Sequence, residues 1–519
     1  MASGDRWPGA PGSIVEAFFT SRDRTPDKPC LVFEGDTFSY TRFGDLVSRW
    51  ASALAQWGIR RGDRVALFLE NSPIFLAAYL GTQLAGGIVV LVNTQYRQVE
   101  LRHILSDSGA RLCVTDAGGV RELERVNADL PDLERTVLAE EAEELLDRPV
   151  RAELVEAHGL PSPDDVALIA YTSGTTGRSK GAMLTHANLA ANAWAVTTAW
   201  RWTSSDSLLL MLPLFHVHGL CVGMHGTWLT GGTAELHRKF DAAVAYDRIA
   251  SGEITQFFGV PTMYTRLIAE AEKRSESGHL RPAPLRLFVS GSAPLSVQTF
   301  EEFERLFGQR ILERYGMSET IMNLTNPFAG ERRPGTVGMP FPGQEARIVD
   351  AVTRDPILDE SLGEIQVRGP HVFKGYWQRD DATAEAFDSD RWFNTGDLGW
   401  RSADGYYTIS GRARELIITG GYNVYPREVE EVLETHPAVA EAAVLGLPDP
   451  EFGEQVAAAI VPATGQTVSA EQLVEHCRDQ LASYKKPRRV FVMESLPRNA
   501  LGKIQKHVLR EQLEKGVPA

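Results

Sequence analysis

A run of hydroxyls and glycines directly after an apolar segment is the first place where this chain could do chemistry. Tyr171–Gly181 reads YTSGTTGRSKG and follows DVALIA (165–170). A turn this dense in Gly, Ser and Thr lets backbone N–H groups and hydroxyls converge on phosphate oxygens, and Lys180 adds a positive charge. That is a phosphate-binding loop. It is not the G-x-x-x-x-G-K-[ST] loop, because the glycine spacing differs and Gly181 follows Lys180. Farther on, Asp397 in TGDLG (395–399) offers two acceptor oxygens, and Lys503 follows a glycine in NALGKIQK (499–506). Taken alone, these last two read as an ordinary turn and a solvated charge.

The elements that must carry these residues can be read from periodicity. Short apolar, β-branched runs alternate with longer amphipathic stretches from about residue 30 to 350: RVALFLE (64–70), GIVVLV (87–92), ARLCVTD (110–116), DVALIAYTS (165–173) and LRLFVSG (285–291). Such alternation predicts α/β layers with largely parallel sheets. Between 43 and 57, Leu46, Trp50, Leu54 and Trp57 fall at helical spacing, with Gly58 as the stop, so these tryptophans are expected in a core. From about 335 to 411 the texture changes to short strands and glycine turns, as in GEIQVRG (363–369), WFNTGDLGW (392–400) and GYYTISG (405–411), which predicts a β subdomain. The remainder predicts a small α+β domain. The expected layout is a large N-terminal α/β domain, 1–411, that includes the β subdomain at about 335–411, and a small C-terminal domain, 412–519.

Composition narrows the partners. The chain has 519 residues with 53 Lys and Arg against 68 Asp and Glu, a formal charge of -15. That balance disfavours a general hold on nucleic acid or anionic lipid, so an anionic ligand must be caught locally. The four cysteines, Cys30, Cys113, Cys221 and Cys477, are far apart and form no C-x-x-C pair, which argues against a zinc site or a disulfide framework. With no apolar leader and no run of 18 or more apolar residues, a cytoplasmic protein without a membrane span is expected, as a monomer or homodimer. The acidic tract 139–148 reads as a solvated helix face.

The ordered set YTSGTTGRSKG, ERYGMSET (313–320), TGDLG, GRARELIITGGYNVYP (411–426) and PRNALGKIQK (497–506) resembles the adenylate-forming superfamily of acyl-CoA synthetases, peptide-synthetase adenylation domains and beetle luciferases. The resemblance spans nearly the whole chain. It implies an enzyme using ATP, Mg2+ and coenzyme A: a carboxylate attacks the α-phosphate to give acyl-AMP and pyrophosphate, then a thiol displaces AMP. It further implies that Thr172, Ser173, Gly174, Thr175, Thr176, Gly177 and Lys180 hold the β- and γ-phosphates. Glu319 would bind Mg2+, Tyr315 and Gly316 would flank the adenine, and Ser318 and Thr320 would lie close to the α-phosphate. Asp397 would hold the ribose hydroxyls with support from Arg412, and Lys503 would stabilise the adenylation transition state. The C-terminal domain is expected to be mobile, with a hinge at Arg414, where many relatives have Asp or Lys. Gly420, Gly421 and Tyr422 would line the thiol tunnel. The cluster Lys485, Lys486, Arg488 and Arg489 reads equally as a CoA-phosphate contact or a solvated patch.

The substrate is a small-molecule carboxylate, and strand alternation suggests which kind. It puts Arg286, Phe288, Ser290 and Ser292 on one face. An arginine facing the acyl group would be a poor neighbour for an alkyl chain but a bidentate partner for a second carboxylate. The competing reading is an internal ion pair, since arginine seldom stays buried alone. The segments LPLFHVHGL (212–220), ERYGMSETIMNLTNP (313–327) and ERRPGTVG (331–338) resemble malonyl-CoA synthetases and their methylmalonate-accepting relatives. That resemblance puts His216 near the carboxylates and Met322 at the end of a short pocket. The alternatives are a fatty-acyl or 4-coumarate-like aryl-CoA ligase and an adenylation enzyme that loads a carrier protein.

Overall fold

A computed structural model describes residues 10–139, 160–172, 179–276, 282, 284–412, 415–419, 422–450, 452–478, 480–499 and 502–515. Five predicted runs form strands close to their expected bounds: Arg64–Phe68, Ile88–Leu91, Ala110–Thr115, Val166–Thr172 and Leu287–Ser290. The amphipathic stretch forms the helix Tyr40–Gln56, capped by the Ser39 hydroxyl, which accepts the Arg42 N–H. Its apolar stripe buries Leu46, Trp50 and Leu54, while Trp57 lies just past its end, partly exposed, with its ring edge-on to Trp50. The acidic tract lies almost wholly outside the described residues.

The chain divides into two compact units. The first comprises 1–334, 338–345 and 367–393, and the second comprises 335–337, 346–366 and 394–519. By packing, most of the short strands between 346 and 411 therefore group with the C-terminal residues.

Among the described residues, the first unit is built on two sheets. One has seven strands, of which Val166–Thr172, Ile88–Leu91, Arg64–Phe68, Ala110–Thr115 and Arg135–Leu138 run parallel. Lys180–Thr185 and Gly375–Tyr376 add antiparallel at the edge. The other sheet has nine strands, and Leu312–Tyr315, Leu287–Ser290, Gln256–Gly259, Ser207–Leu210, Thr233–Leu236 and Pro29–Phe33 are its parallel middle. In parallel α/β sheets, ligand-binding loops leave the carboxyl ends of the strands. By that rule the residues able to meet a ligand are those at or just beyond the carboxyl ends of these strands.

Helix Val297–Phe307 locks the nine-stranded sheet from one side. Phe300, Phe303 and Phe307 recur on its inner stripe and close on Phe288, with the Phe288 and Phe303 rings 4.9 Å apart and edge-on. Each buried ring contributes about 1.5–3 kcal/mol from area alone. The second unit holds the antiparallel pair of Phe393–Arg401, all but its first residue, with Tyr407–Arg412. It also holds a five-stranded sheet of Tyr422–Val424, Ile417–Thr419, Gly453–Pro462, Val439–Asp449 and Arg489–Val492, flanked by helices Pro426–Glu434, Ala470–His476 and Lys506–Glu514. The predicted α+β texture is therefore present.

Removing the ring at the centre of the Phe288 cluster tests this packing. Phe303→Ala should lower the unfolding free energy by about 3–5 kcal/mol in urea titration. A loss under about 1 kcal/mol would mean that this helix does not secure the sheet.

Candidate active site

The strands on either side of the hydroxyl-rich segment form a hairpin. Val166–Thr172 and Lys180–Thr185 pair antiparallel with Thr172 opposite Lys180 and Tyr171 opposite Gly181, so the intervening loop is carried at the open end. Ser173, Gly174, Thr175, Thr176 and Gly177 lie outside the described residues. The hairpin base is well anchored: the Tyr171 hydroxyl donates to Asp107 at 2.7 Å, and an imidazole nitrogen of His103 lies 2.7 Å from the Ser179 carbonyl oxygen. A Cβ on Gly181 would come within 2.7 Å of the Ile169 side chain, so the return strand requires glycine there.

Glu319 lies buried just beyond strand Leu312–Tyr315. Its Oε1 accepts from the Tyr376 hydroxyl at 3.1 Å, and its carbonyl accepts from the Phe373 N–H at 2.9 Å. Gly316 makes the sharp exit from the strand, where a Cβ would fall 1.9 Å from the Ile321 carbonyl oxygen. Tyr315 is buried, and Thr320 is fully buried with a hydroxyl that has no hydrogen-bond partner among the described residues. Asn192 reaches across to the Met322 carbonyl at 3.0 Å and so fixes the turn that carries Glu319, Thr320 and Met322. A single hard carboxylate suits Mg2+, which keeps several waters and takes its other ligands from substrate phosphates. Among the described residues there is no cluster of three or more His, Cys, Asp or Glu that could hold a metal by protein ligands alone.

Arg286 is not in this neighbourhood. It precedes strand Leu287–Ser290, and its Nε and Nη2 form a fork on Asp206 at 2.7 and 3.0 Å, with Nη1 on the Trp200 carbonyl at 2.8 Å. Asp206 in turn precedes strand Ser207–Leu210, so the pair closes the amino ends of the parallel strands. Burial alone would raise the Asp206 carboxyl, but the Thr203 N–H, Arg286 and the Thr255 hydroxyl hold it below its ordinary value. The expectation that Arg286 receives a second carboxylate is thus overturned. Alternation puts Arg286 and Ser290 on one face but sets them four positions, roughly 13 Å, apart, and the wrong end of the sheet carries the arginine.

The arginine at the carboxyl ends is Arg314, which the sequence reading passed over. It is 3% exposed, and its Nε and Nη2 have no hydrogen-bond partner among the described residues. Burial pulls its pKa down to about 9, opposed by Glu313 and Tyr264, which leaves it charged at neutral pH. Gly291 makes room for it: a Cβ there would lie 2.3 Å from the guanidinium carbon. His216 and His218 face this charge. Burial and then Arg314 push His216 down to about 4 and His218 well below the usual imidazole range, so both are neutral at pH 7. His218 Nδ1 lies 3.3 Å from the Ser292 hydroxyl, and Ser292 takes a positive φ of 71° to reach it. Ser290 is fully buried, and its hydroxyl has no hydrogen-bond partner among the described residues. The sequence offered little signal for Arg314: in LERY (312–315) it stands beside a second charged residue, Glu313, two positions before Gly316, a pattern that an exposed strand end shows equally.

Ser318 belongs to the first unit, and the remaining predicted residues fall within the second. Asp397 is buried, and its Oδ1 lies 2.8 Å from Arg412 Nε in a directly opposed strand pair. Lys503 is exposed on a closed turn, in which its N–H donates to the Asn499 side chain at 3.0 Å and its carbonyl accepts from the Asn499 N–H at 2.9 Å. Tyr422 is 57% exposed and stacks on Tyr484 at 4.6 Å. Arg414, Gly420 and Gly421 lie outside the described residues. In the basic cluster, Lys485 pairs with Glu428, while Arg488 and Arg489 lie over Phe452 and Phe491.

Residues 18–377 match the AMP-binding enzyme family, and residues 428–503 match the AMP-binding enzyme C-terminal domain. The chain belongs to the AMP-binding enzymes. It is 34% identical to malonate–CoA ligase of Arabidopsis thaliana, over 97% of this chain and 90% of that protein. It is 36% identical to sulfoacetate–CoA ligase of Cupriavidus necator, over 93% of this chain and 94% of that one. Among solved structures, ATP-bound MatB from Rhodopseudomonas palustris superposes with a TM-score of 0.87 at 38% identity, covering 97% of this chain and 99% of that chain. The α/β adenylate-forming fold expected from the motifs is therefore the fold of this AMP-binding enzyme.

The structural role of Arg286 has a direct test. Arg286→Met should cost about 3 kcal/mol of stability at pH 7 by leaving Asp206 buried without its counter-charge, with kcat/KM for the acid substrate changed less than about threefold. Because the folded Asp206 pKa is depressed, its contribution is complete above the unfolded value and lost as pH falls through the folded one. Denaturation curves of wild type and variant should therefore converge in acid.

Proposed function

We propose that this protein is an AMP-forming acyl-CoA synthetase whose preferred acid is short and carries a second anionic group, malonate or methylmalonate. The observation that carries the choice is the buried guanidinium of Arg314, whose Nε and Nη2 have no hydrogen-bond partner among the described residues, beside neutral imidazoles. A desolvated cation of this kind rejects an alkyl chain and gains two charge-assisted hydrogen bonds from a carboxylate. Relatives named for malonate and sulfoacetate, both small acids with two anionic groups, support the same choice.

In the first half-reaction one carboxylate oxygen attacks the α-phosphorus of ATP, and the bond to pyrophosphate breaks. No proton need move, so the residues act by position and charge. Thr172, the loop hydroxyls and Lys180 hold the outer phosphates. Glu319 would hold Mg2+, whose charge offsets that of the phosphate oxygens. Tyr315 and Gly316 flank the adenine, Ser318 and Thr320 lie at the α-phosphate, and Asp397, braced by Arg412, accepts from the ribose hydroxyls. Arg314, with His216, Ser290 and Met322 around it, holds the distal carboxylate so that the proximal one is free to attack. Lys503 supplies positive charge to this step only. In the second half-reaction the coenzyme A sulfur attacks the acyl carbonyl, and AMP leaves; Gly420, Gly421 and Tyr422 leave room for the thiol arm. The division at residue 412 and a hinge at Arg414 belong to this reading.

Two results test it. Lys503→Ala should abolish acyl-AMP formation yet spare thioester formation from supplied acyl-AMP, and equal loss in both assays would contradict the division of labour. Arg314→Met should lower kcat/KM for malonate by at least about thirtyfold while raising the relative use of butyrate, as expected for loss of a desolvated charged contact. AMP release measured across malonate, methylmalonate, succinate, acetate, octanoate and 4-coumarate reports the preference. A lead for octanoate or coumarate would retain the two-step reaction and reject the dicarboxylate pocket.

A further inference from the structure

Tyr376, which neither the motif analysis nor the proposed reaction uses, stands between the two charged groups that meet the nucleotide phosphates. Its hydroxyl donates to Glu319 Oε1 at 3.1 Å, and the Lys180 ammonium lies over its ring, 5.1 Å from the centroid. Both contacts lie in the first unit. One side chain thus offers its acidic O–H to the carboxylate and its negative π-face to the cation.

The backbone around Tyr376 is held from both sides. Gly375–Tyr376 pairs antiparallel with the return strand of the phosphate hairpin, Gly375 opposite Met183 and Tyr376 opposite Ala182. The Lys374 and Trp377 N–H groups donate to the Met183 and Gly181 carbonyls at 2.9 and 2.7 Å. On the other side, the Phe373 N–H donates to the Glu319 carbonyl at 2.9 Å. Gly375 has a φ of +146°, and a Cβ there would lie 2.9 Å from the Thr383 hydroxyl, the same oxygen that accepts the Tyr376 N–H at 2.9 Å. The segment therefore ties the lysine's strand to the carboxylate's turn, and Tyr376 is where the tie reaches the charges.

Opposite charges on neighbouring elements tend to collapse onto each other, which would consume both before a ligand arrives. An aromatic spacer prevents that without neutralising either group. The hydroxyl engages one carboxylate oxygen and sets its orientation, while the ring holds the ammonium by an attraction weaker than an ion pair. Partners that orient a metal-binding carboxylate act through that carboxylate rather than on the substrate.

We propose that Tyr376 is a positioning residue for the adenylation step, holding Glu319 toward the metal and Lys180 toward the outer phosphates. This rests on the reading of Glu319 as the Mg2+ carboxylate and of Lys180 as a phosphate ligand.

The test uses full-length Tyr376→Phe, which keeps the ring and removes the hydroxyl, and Tyr376→Leu, which removes both. ATP binding is measured by calorimetry with Mg2+ and with EDTA, alongside acyl-AMP formation and thioester formation from supplied acyl-AMP. In Tyr376→Phe, the tightening of ATP by Mg2+ should fall about tenfold while metal-free ATP binding stays at the wild-type value, the size expected for loss of a metal-ligand partner. Tyr376→Leu should in addition weaken metal-free ATP binding about threefold or more, as Lys180 loses its platform. Thioester formation from supplied acyl-AMP should stay within about twofold of wild type, which a merely structural defect would not allow. If Tyr376→Leu does not fold, Tyr376→Phe carries the test. Wild-type Mg2+ tightening in Tyr376→Phe, or equal loss in both half-reactions, would overturn the proposal. Glu319→Gln separates the two ideas: if it too keeps wild-type tightening, the reading of Glu319 fails; if it loses tightening while Tyr376→Phe does not, only the role of Tyr376 fails.

Discussion

A guanidinium kept out of water with two of its nitrogens unbonded among the described residues is the constraint on which the proposed substrate site depends. Taking such an ion into a protein interior costs several kcal/mol, and Arg314 recovers little of it, because Nε and Nη2 make no hydrogen bond among the described residues. The fold must therefore hold it there by force of packing. Strand Leu312–Tyr315 supplies the position, Gly291 the space, and the buried histidines a wall that stays neutral at pH 7. Arg286 shows the opposite solution in the same sheet. There a carboxylate, a carbonyl and the Phe328 ring consume the charge, and nothing is left for a ligand.

The nucleotide half follows a different logic, in which charges are prepared singly and held apart. Lys180 rests on an aromatic face, Glu319 accepts from a phenol, and Asp397 is braced by Arg412. Each arrangement is local to one unit, so each could be built before any ligand is bound. Such preorganisation suits a reaction in which charge moves among phosphate oxygens and no proton is transferred.

Much of this was legible in the sequence, for reasons that can be named. The parallel strands showed because fully buried strands are continuous apolar runs, and 64–70, 87–92 and 110–116 are such runs. The hydroxyl-rich turn, Glu319, Asp397 and Lys503 stood out because each sits in a motif whose composition has no use in plain packing; the roles given to them belong to the proposed function. Arg286 misled because period-two alternation assigns a face and is silent about which end of the strand faces the ligand. Arg314 and Tyr376 were missed for a related reason. Their significance comes from long-range neighbours, Gly291 in one case and Lys180 with Glu319 in the other, and no local pattern records those distances. The grouping of residues 346–366 with the C-terminal residues was likewise invisible to a linear scan of texture.

The account stands or falls on where the far end of the acid goes. A crystal structure with a non-hydrolysable malonyl-adenylate analogue measures this most directly. The account predicts both distal carboxylate oxygens within about 2.7–2.9 Å of the Arg314 guanidinium nitrogens. A distal carboxylate directed to solvent or held by other residues, with the Arg314 nitrogens still unpartnered, would contradict it.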